Sequence, residues 1–246
     1  MPSQLLEWKI ATVAQIRDET SEVKSFSLLV PEWRTHRPGQ HVDVRLSAPD
    51  GYQAQRSYSI ASAPGPDGRV DLTVERIAEG EVSPYFHDVL VTGDEVEVRG
   101  PIGGYFVWEP AFGGPLLLIA GGSGVVPLMA ILRERAAADV AASATLLYSS
   151  RNWDDVIYRE ELDRLATTDD RLRILHTLTR AQPPGWTGFA RRIDRPMLEE
   201  ALDGLGSQPL TYICGPTLLV EAAANGLVEL GVDPGRIRTE RFGPTS

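Results

Sequence analysis

The chain has almost no cysteine and little lysine, and each shortage excludes a class of protein. Among its 246 residues the one cysteine is Cys214. A single thiol excludes an internal disulfide, a Cys₄ iron–sulfur cluster and a multi-cysteine zinc site. Lysine occurs as Lys9 and Lys24, and 24 Lys and Arg residues against 34 Asp and Glu residues leave a formal net charge of −10. This acidic balance argues against a surface that binds nucleic acid or an anionic membrane.

Long apolar runs are also absent from the sequence. The most apolar stretch begins at residues 115–120, far short of the roughly 20 residues that a membrane-spanning helix needs. Residues 1–9 lack the cationic and apolar segments of a secretory signal. We therefore expect a cytoplasmic protein with no membrane partner. The histidines have no metal-ligand spacing, so we predict no metal site; they are His36, His41, His87 and His176.

Glycine and proline are abundant, and in the first half they separate short segments of alternating polarity. The chain has 23 Gly and 18 Pro among 246 residues. Together they make up about one residue in six, whereas glycine and proline make up roughly 12% of an average protein. Six alternating segments rich in β-branched residues predict an antiparallel barrel. One short helix is predicted over residues 83–90, with Ser83 as its N-cap and Pro84 at its first helical position. The six predicted strands cover residues 10–16, 23–30, 41–46, 55–60, 70–76 and 94–99.

The second half changes to an alternation of strands and helices. Its strands are apolar on both faces, which is typical of a parallel sheet covered on both sides. A loop at residues 109–114 separates the two patterns. We therefore predict two domains, a β-barrel over residues 1–110 and an α/β domain over residues 111–246. The predicted strands are 116–120, 144–149, 172–178 and 210–214, and the predicted helices are 127–138, 158–166, 195–202 and 217–230.

A glycine loop follows the first strand of the second half. Gly121-Gly122-Ser123-Gly124 precedes a predicted helix that begins with Pro127. Glycines let a backbone approach a pyrophosphate, and the start of a helix offers free N–H groups. Proline stands where the common fingerprint has its third glycine, and no acidic ribose ligand follows about 20 residues later. The loop alone therefore leaves two interpretations, a dinucleotide site and an ordinary strand–helix turn.

Three further motifs accompany this loop, in a fixed order along the chain. They are Arg56-Ser57-Tyr58-Ser59, the segment 100–106 that ends in Tyr105-Phe106, and Tyr212-Ile213-Cys214-Gly215-Pro216. With the glycine loop, they make the chain resemble the ferredoxin–NADP reductase-like flavoprotein family over about residues 9–244. The resemblance implies an antiparallel six-stranded barrel that binds FAD, followed by a parallel α/β domain that binds NAD(P).

The resemblance assigns the flavin to the first domain, as FAD rather than FMN. It implies that Arg56 neutralises the pyrophosphate, a task that suits a guanidinium, and that Tyr58 stacks on the isoalloxazine ring. Ser59 would hydrogen-bond near flavin N5. The alternative is an amphipathic strand with a solvated arginine and a half-buried tyrosine. The other implied flavin contacts are Ser57 and the second phosphate segment of Gly80, Val82 and Ser83, for which an ordinary N-cap is the alternative.

The resemblance also implies the residues around the nicotinamide. Cys214 would lie near the hydride path; its alternative is a small buried core residue. The remaining nicotinamide contacts would be Gly122, Ser123, Gly124, Gly215 and Pro216.

The last motif, Glu240-Arg241-Phe242-Gly243-Pro244, resembles a segment that closes over the flavin in relatives. Phe242 would then shield the ring and Glu240 would lie within reach of a proton relay. A frayed tail is the alternative.

A hydroxyl–arginine pair, Thr179-Arg180, follows the strand predicted at 172–178. Family members that prefer NADPH often carry such a pair for the 2′-phosphate, which needs a cation and a donor. Arg191 is an imperfect match to a second family arginine. The alternative is that these are solvated loop arginines. We therefore expect NADPH as the preferred nucleotide, with NADH as the alternative.

The reaction implied by the resemblance is hydride transfer from NADPH to FAD, followed by electron transfer to a separate acceptor. Because a single cysteine excludes a built-in [2Fe–2S] cluster, the expected partner is a ferredoxin or an oxygenase component. We expect a monomer. Three alternatives remain: a diaphorase or flavin reductase acting on small molecules, a non-catalytic flavin-binding subunit, and a plain NAD-dependent dehydrogenase without flavin.

Overall fold

The computed structural model describes residues 6–206 and 208–243, which form two compact units. The first unit comprises the chain up to Trp108 together with Met129–Ala137. The second comprises Glu109–Leu128 and the chain from Ala138 onward. The boundary predicted after residue 110 stays a prediction, since part of one helix groups with the first unit.

The first unit is built on an antiparallel sheet of six strands, in the order β4-β3-β6-β1-β2-β5. A bridge between Ile60 and Leu72 joins the end of β4 to β5, and the sheet thereby curls into the predicted barrel. The fold class expected from alternating polarity is confirmed. The strands are β1 (Lys9–Thr20), β2 (Val23–Leu29), β3 (His41–Ser47), β4 (Gln53–Ser59), β5 (Arg69–Glu75) and β6 (Glu95–Ile102).

The pairing of β3 with β4 determines which side chains share the inner face of the barrel. Val42 lies opposite Tyr58, and Val44 lies opposite Arg56. Directly opposed residues of an antiparallel pair point to the same face. Because Val42 and Val44 are fully buried, Arg56 and Tyr58 project from the face that also carries the core.

A short helix, α1 (Ser83–Asp88), covers this core. Phe86 packs edge-on against Phe26, with the ring centroids 4.9 Å apart. The prediction that Ser83 is the N-cap is wrong, because Val82 holds that position and makes no side-chain cap bond. The Ser83 hydroxyl instead accepts a hydrogen bond from the Ile77 N–H at 3.1 Å. It therefore closes the loop before the helix, and Ser83 itself is the first helical residue.

The second unit is a parallel sheet of five strands, in the order β11-β10-β7-β8-β9. Apolar residues of its central strands, such as Ile119 and Ile213, form one buried core with Leu198 and Val220 of two flanking helices. The strands are β7 (Leu116–Gly121), β8 (Ala144–Ser150), β9 (Leu172–Leu178), β10 (Leu210–Gly215) and β11 (Ile237–Arg241). The helices are α2 (Val125–Ala137), α3 (Arg159–Thr168), α4 (Arg195–Leu202) and α5 (Thr217–Glu229), and single 3₁₀ turns occur at Pro110–Phe112, Gly122–Gly124, Trp153–Asp155 and Pro234–Arg236.

The strand β11 was not predicted from the sequence. It pairs in parallel with β10, and Glu240 lies opposite Cys214. The Phe242 N–H continues the ladder with a 3.0 Å bond to the Gly215 carbonyl. The frayed-tail interpretation is therefore wrong for this segment. Pro244, the last residue of the C-terminal motif, lies outside the described residues.

None of the helices that the structure describes is long and apolar enough to cross a membrane.

Candidate functional site

The strand β4 presents a cation and an aromatic ring on one face. The Arg56 side chain is 54% exposed, and Tyr58 is half-buried with its ring centroid 5.8 Å from that of Phe86. Burial raises the pKa of Tyr58 to about 12, so the phenol stays neutral. A planar guanidinium can pair with a pyrophosphate, and a neutral aromatic ring on the same face can stack on a flat heterocycle joined to it.

The serines of the same strand occupy different surroundings. Ser57 lies opposite Asp43 in the ladder, and its hydroxyl donates to Asp43 Oδ1 at 2.7 Å. Arg99 donates to Asp43 Oδ2 at 2.7 Å. Burial acts to raise the pKa of Asp43, but the hydrogen bonds from Arg99 and Ser57 hold it below its usual value. Ser57 thus anchors β4 from the side opposite Arg56, and Ser59 is buried at the strand's end.

The loop before α1 meets β4 through an ion pair. Arg56 Nη2 lies 3.4 Å from Glu81 Oε2, so the two segments expected to hold the flavin phosphates are brought together. Gly80 permits a tight turn, because a Cβ there would lie 3.0 Å from Ser83 Oγ. The side chains of Val82 and Ser83 are both buried. Of the three loop residues expected to contact the phosphates, Gly80 is the one that is partly exposed.

The glycine loop and the Cys-Gly-Pro segment form one surface at the carboxyl ends of neighbouring strands. Ala120 of β7 lies opposite Cys214 of β10. A Cβ on Gly124 would lie 2.1 Å from the Cys214 carbonyl oxygen, so only glycine fits there. Gly122 adopts φ +53°, and nothing lies within 4 Å of a Cβ built on it. The loop therefore leaves open space at the sheet edge where doubly wound folds bind dinucleotides.

Cys214 and Glu240 lie opposite each other on adjacent strands, with Cys214 buried and Glu240 partly exposed. Cys214 is 0% exposed, and burial, followed by the charge of Glu240, raises the pKa of its thiol well above the ordinary value. Burial also raises the pKa of Glu240 to about 7. Among the described residues Glu240 Oε2 has no hydrogen-bond partner. A carboxyl group that titrates near neutral pH in such surroundings is able to hold or release a proton.

The predicted 2′-phosphate pair lies at the carboxyl ends of β8 and β9. The Thr179 hydroxyl donates to the Ser150 carbonyl at 3.2 Å, so it ties the two strands together. The Arg180 N–H donates to the Arg151 carbonyl at 2.9 Å, and both arginines are exposed. Arg191 instead pairs with Asp194, with Nε 2.6 Å from Oδ2.

Sequence reasoning missed Arg151. The available signal was an arginine two residues after the strand predicted at 144–149, at the same sheet edge as Thr179-Arg180. Ser150 supplies a further candidate donor there, because its Oγ is buried without a partner among the described residues. Within the described ranges no group of three His, Cys, Asp or Glu side chains forms a metal cluster.

Comparison with known proteins agrees with this geometry. Residues 11–107 match the model of the oxidoreductase FAD-binding domain, and residues 118–225 match that of the oxidoreductase NAD-binding domain. Ferredoxin–NADP reductase B of Sorangium cellulosum is 38% identical over 211 residues, which cover 83% of this chain and 84% of that protein. The chain belongs to the ferredoxin–NADP reductase-like family of flavoproteins. The predicted cofactors, FAD and NAD(P)H, are confirmed, and the alternative of a dehydrogenase without flavin is wrong.

Two further similarities extend over most of the chain. The glycine betaine monooxygenase reductase subunit of Pseudomonas aeruginosa is 30% identical over 236 residues, covering 94% of this chain and 63% of that protein. The chain thus spans less than two thirds of that relative. A solved cytochrome P450 reductase from Amycolatopsis is 28% identical with a TM-score of 0.84, covering 99% of this chain and 72% of that one.

Proposed function

We propose that this protein is a reductase that takes a hydride from NADPH onto FAD and passes electrons to a separate acceptor such as a ferredoxin or an oxygenase component. The observation that carries the proposal is the pairing of the buried Cys214 with Glu240, whose Oε2 atom is buried, beside an open glycine loop. A carboxyl group whose pKa burial raises to about 7, beside a nucleotide loop, supports a role in holding or moving a proton. The names of the relatives, a ferredoxin–NADP reductase and a monooxygenase reductase subunit, support the acceptor class.

The first unit would hold FAD, which when bound supplies the chemistry of accepting a hydride and releasing electrons one at a time. Arg56 would pair with the pyrophosphate, and Tyr58 would lie against the isoalloxazine ring. Ser59, which is buried at the end of β4, would hydrogen-bond to the flavin near N5. The loop residues Gly80, Val82 and Ser83 would contribute backbone groups to the phosphates, and Ser57 would hold β4 through Asp43.

The second unit would bind and orient the nicotinamide nucleotide. Cys214 would set the position of the reacting ring, and Glu240 would hold a proton at its carboxyl group. Phe242, which follows directly after β11, would exclude water from the flavin. The backbone groups that would receive the nucleotide belong to Gly122, Ser123, Gly124, Gly215 and Pro216.

A preference for NADPH follows from the arginines at the ends of β8 and β9. Backbone hydrogen bonding places Arg151 beside Arg180, and two guanidinium groups suit the dianionic 2′-phosphate that NADH lacks. Thr179 and Ser150 would supply the hydroxyl groups of this subsite. A cytoplasmic location and a monomeric state stay predictions.

The test is a visible spectrum of the purified protein, followed by anaerobic titration with NADPH and with NADH. We expect bound FAD, faster bleaching by NADPH, and reoxidation by a [2Fe–2S] ferredoxin. A protein that takes up no flavin would refute the proposal. Reoxidation by free flavins or dyes, with none by ferredoxins or oxygenase components, would instead assign a diaphorase.

A further inference from the structure

Arg56, the expected ligand of the flavin pyrophosphate, already has an anionic partner within the protein. Its Nη2 lies 3.4 Å from Glu81 Oε2, and its Nη1 donates to the Gln55 carbonyl at 2.7 Å. The side chains of Arg56 and Glu81 are 54% and 47% exposed. The pair is therefore open to solvent and can exchange partners.

A third residue holds the carboxylate in place. The Tyr52 hydroxyl donates a short hydrogen bond to Glu81 Oε1. The backbone of Tyr52 is fixed by the β3–β4 turn, since its N–H donates to Asp50 Oδ1 at 3.0 Å and its carbonyl accepts from the Ala48 N–H at 2.9 Å. Tyr52 thus brings a rigid donor to the carboxylate, and the hydrogen bond to Glu81 raises the pKa of its phenol.

These contacts place a negative charge where the pyrophosphate is expected to bind. Two anions that share one guanidinium repel each other, and a carboxylate that occupies the guanidinium must be displaced before a phosphate can pair with it. Glu81 has no second cation to pair with when it leaves Arg56, because Arg56 is its one ion-pair partner in the described part of the chain.

We propose that Glu81, held by Tyr52, competes with the FAD pyrophosphate for Arg56 and thereby lowers the affinity of the protein for FAD. The proposal rests on the proposed role of Arg56. Loading of FAD then requires Glu81 to leave Arg56, and the hydrogen bond from Tyr52 favours the arrangement in which Glu81 stays there. The three residues together limit the affinity of the protein for FAD.

The test is an equilibrium titration of the full chain, freed of flavin, with FAD at low ionic strength, followed by flavin fluorescence. We expect Glu81→Gln to tighten FAD binding about three- to fivefold, the size of a solvent-exposed ion pair. Tyr52→Phe should tighten it less, because the carboxylate is freed but keeps its charge. In an Arg56→Ala background the Glu81→Gln change should lose most of its effect, keeping only the relief of direct repulsion between the two anions. In the wild type, added salt should shrink the effect of Glu81→Gln.

Glu79→Gln is the matched control, since Glu79 is an exposed glutamate two residues away. An equal gain from Glu79→Gln would reduce the effect to net charge and overturn the proposal. Weaker binding by Glu81→Gln would also overturn it, because the carboxylate would then contact the cofactor directly. Unchanged FAD affinity in Arg56→Ala would instead refute the role of Arg56, a separate failure.

A second measurement needs no flavin. The ultraviolet titration of Tyr52, taken as the difference between the wild type and Tyr52→Phe, should move to lower pH in the Glu81→Gln background. An unmoved titration would show that Glu81 does not hold Tyr52, and the proposed arrangement would fail.

Discussion

Glu240 is expected to make the stability of the protein depend on pH, and Glu240→Gln tests this directly. The carboxyl group lies on β11 opposite Cys214, with Oε2 buried and unpartnered among the described residues. Burial raises its pKa from 4.5 to about 7. The folded protein therefore keeps this proton over a range of pH in which the unfolded chain has lost it.

The sign and size follow from proton linkage. Between about pH 4.5 and pH 7 the folded state binds the extra proton, so the free energy of unfolding falls as pH rises. Each pKa unit corresponds to about 1.4 kcal/mol, so the rise from 4.5 to about 7 predicts a total loss of about 3.5 kcal/mol. On the order of 2–3 kcal/mol of this loss falls between about pH 5 and about pH 8.5. Glu240→Gln has no such proton to lose. The free energy of unfolding of this variant, relative to that of the wild type, should therefore rise by about this much from about pH 5 to about pH 8.5.

Urea denaturation of the full chain with FAD present, followed by circular dichroism at both pH values, measures this difference. The change between the two pH values within each protein cancels the constant effect of replacing the acid by an amide. Comparing that change between the wild type and the variant cancels the effect of the other titrating groups. Glu229→Gln, at an exposed glutamate that ends α5, is the matched control and should show no such pH dependence. An equal stability difference at both pH values would refute a buried carboxyl group with a raised pKa.

Three further outcomes are expected. Arg180→Ala should raise the KM for NADPH and leave the KM for NADH nearly unchanged, because it removes binding to a phosphate remote from the reacting atoms. Arg164→Ala, at another exposed arginine, is the control. Equal effects of Arg180→Ala on both nucleotides, or the same effect from Arg164→Ala, would contradict this. Cys214→Ala should slow hydride transfer in stopped-flow more than it weakens nucleotide binding, because misplacement of the reacting atoms costs rate steeply; an unchanged rate with a lower Tm would make Cys214 a core residue. Gly124→Ala should impair nucleotide binding and stability together, because the added Cβ would lie 2.1 Å from the Cys214 carbonyl oxygen. Gly113→Ala is the control: nothing lies within 4 Å of a Cβ built on Gly113, so nucleotide binding should stay intact.

Several features of the fold could be predicted from local sequence because burial repeats with the period of the secondary structure. The strand β9 and the helix α4 were predicted to the residue. Alternating polarity indicated the barrel, and strands that are apolar on both faces indicated the parallel sheet. The short motifs carried the candidate cofactor residues, and in one of them Gly124 permits the close backbone approach to Cys214 that no larger residue allows.

The tertiary structure decided what depends on partners distant in the sequence. The strand β11 has one buried residue, Ile237, and so carries no periodic signal; its place comes from pairing with β10. The Ser83 hydroxyl closes a loop at Ile77 instead of capping its helix, because two acceptable partners compete and only the folded loop selects one.

The arrangement of charges was also decided by the fold alone. Arg151 lies beside Arg180 because parallel strands end at a common edge, and Glu81 reaches Arg56 because the loop before α1 passes β4. The proton affinity of Glu240 depends on burial by its neighbours. The sequence by itself thus determined the motifs and the elements with a periodic pattern, whereas contacts between distant segments placed β11 and determined which groups are paired, buried or free to bind.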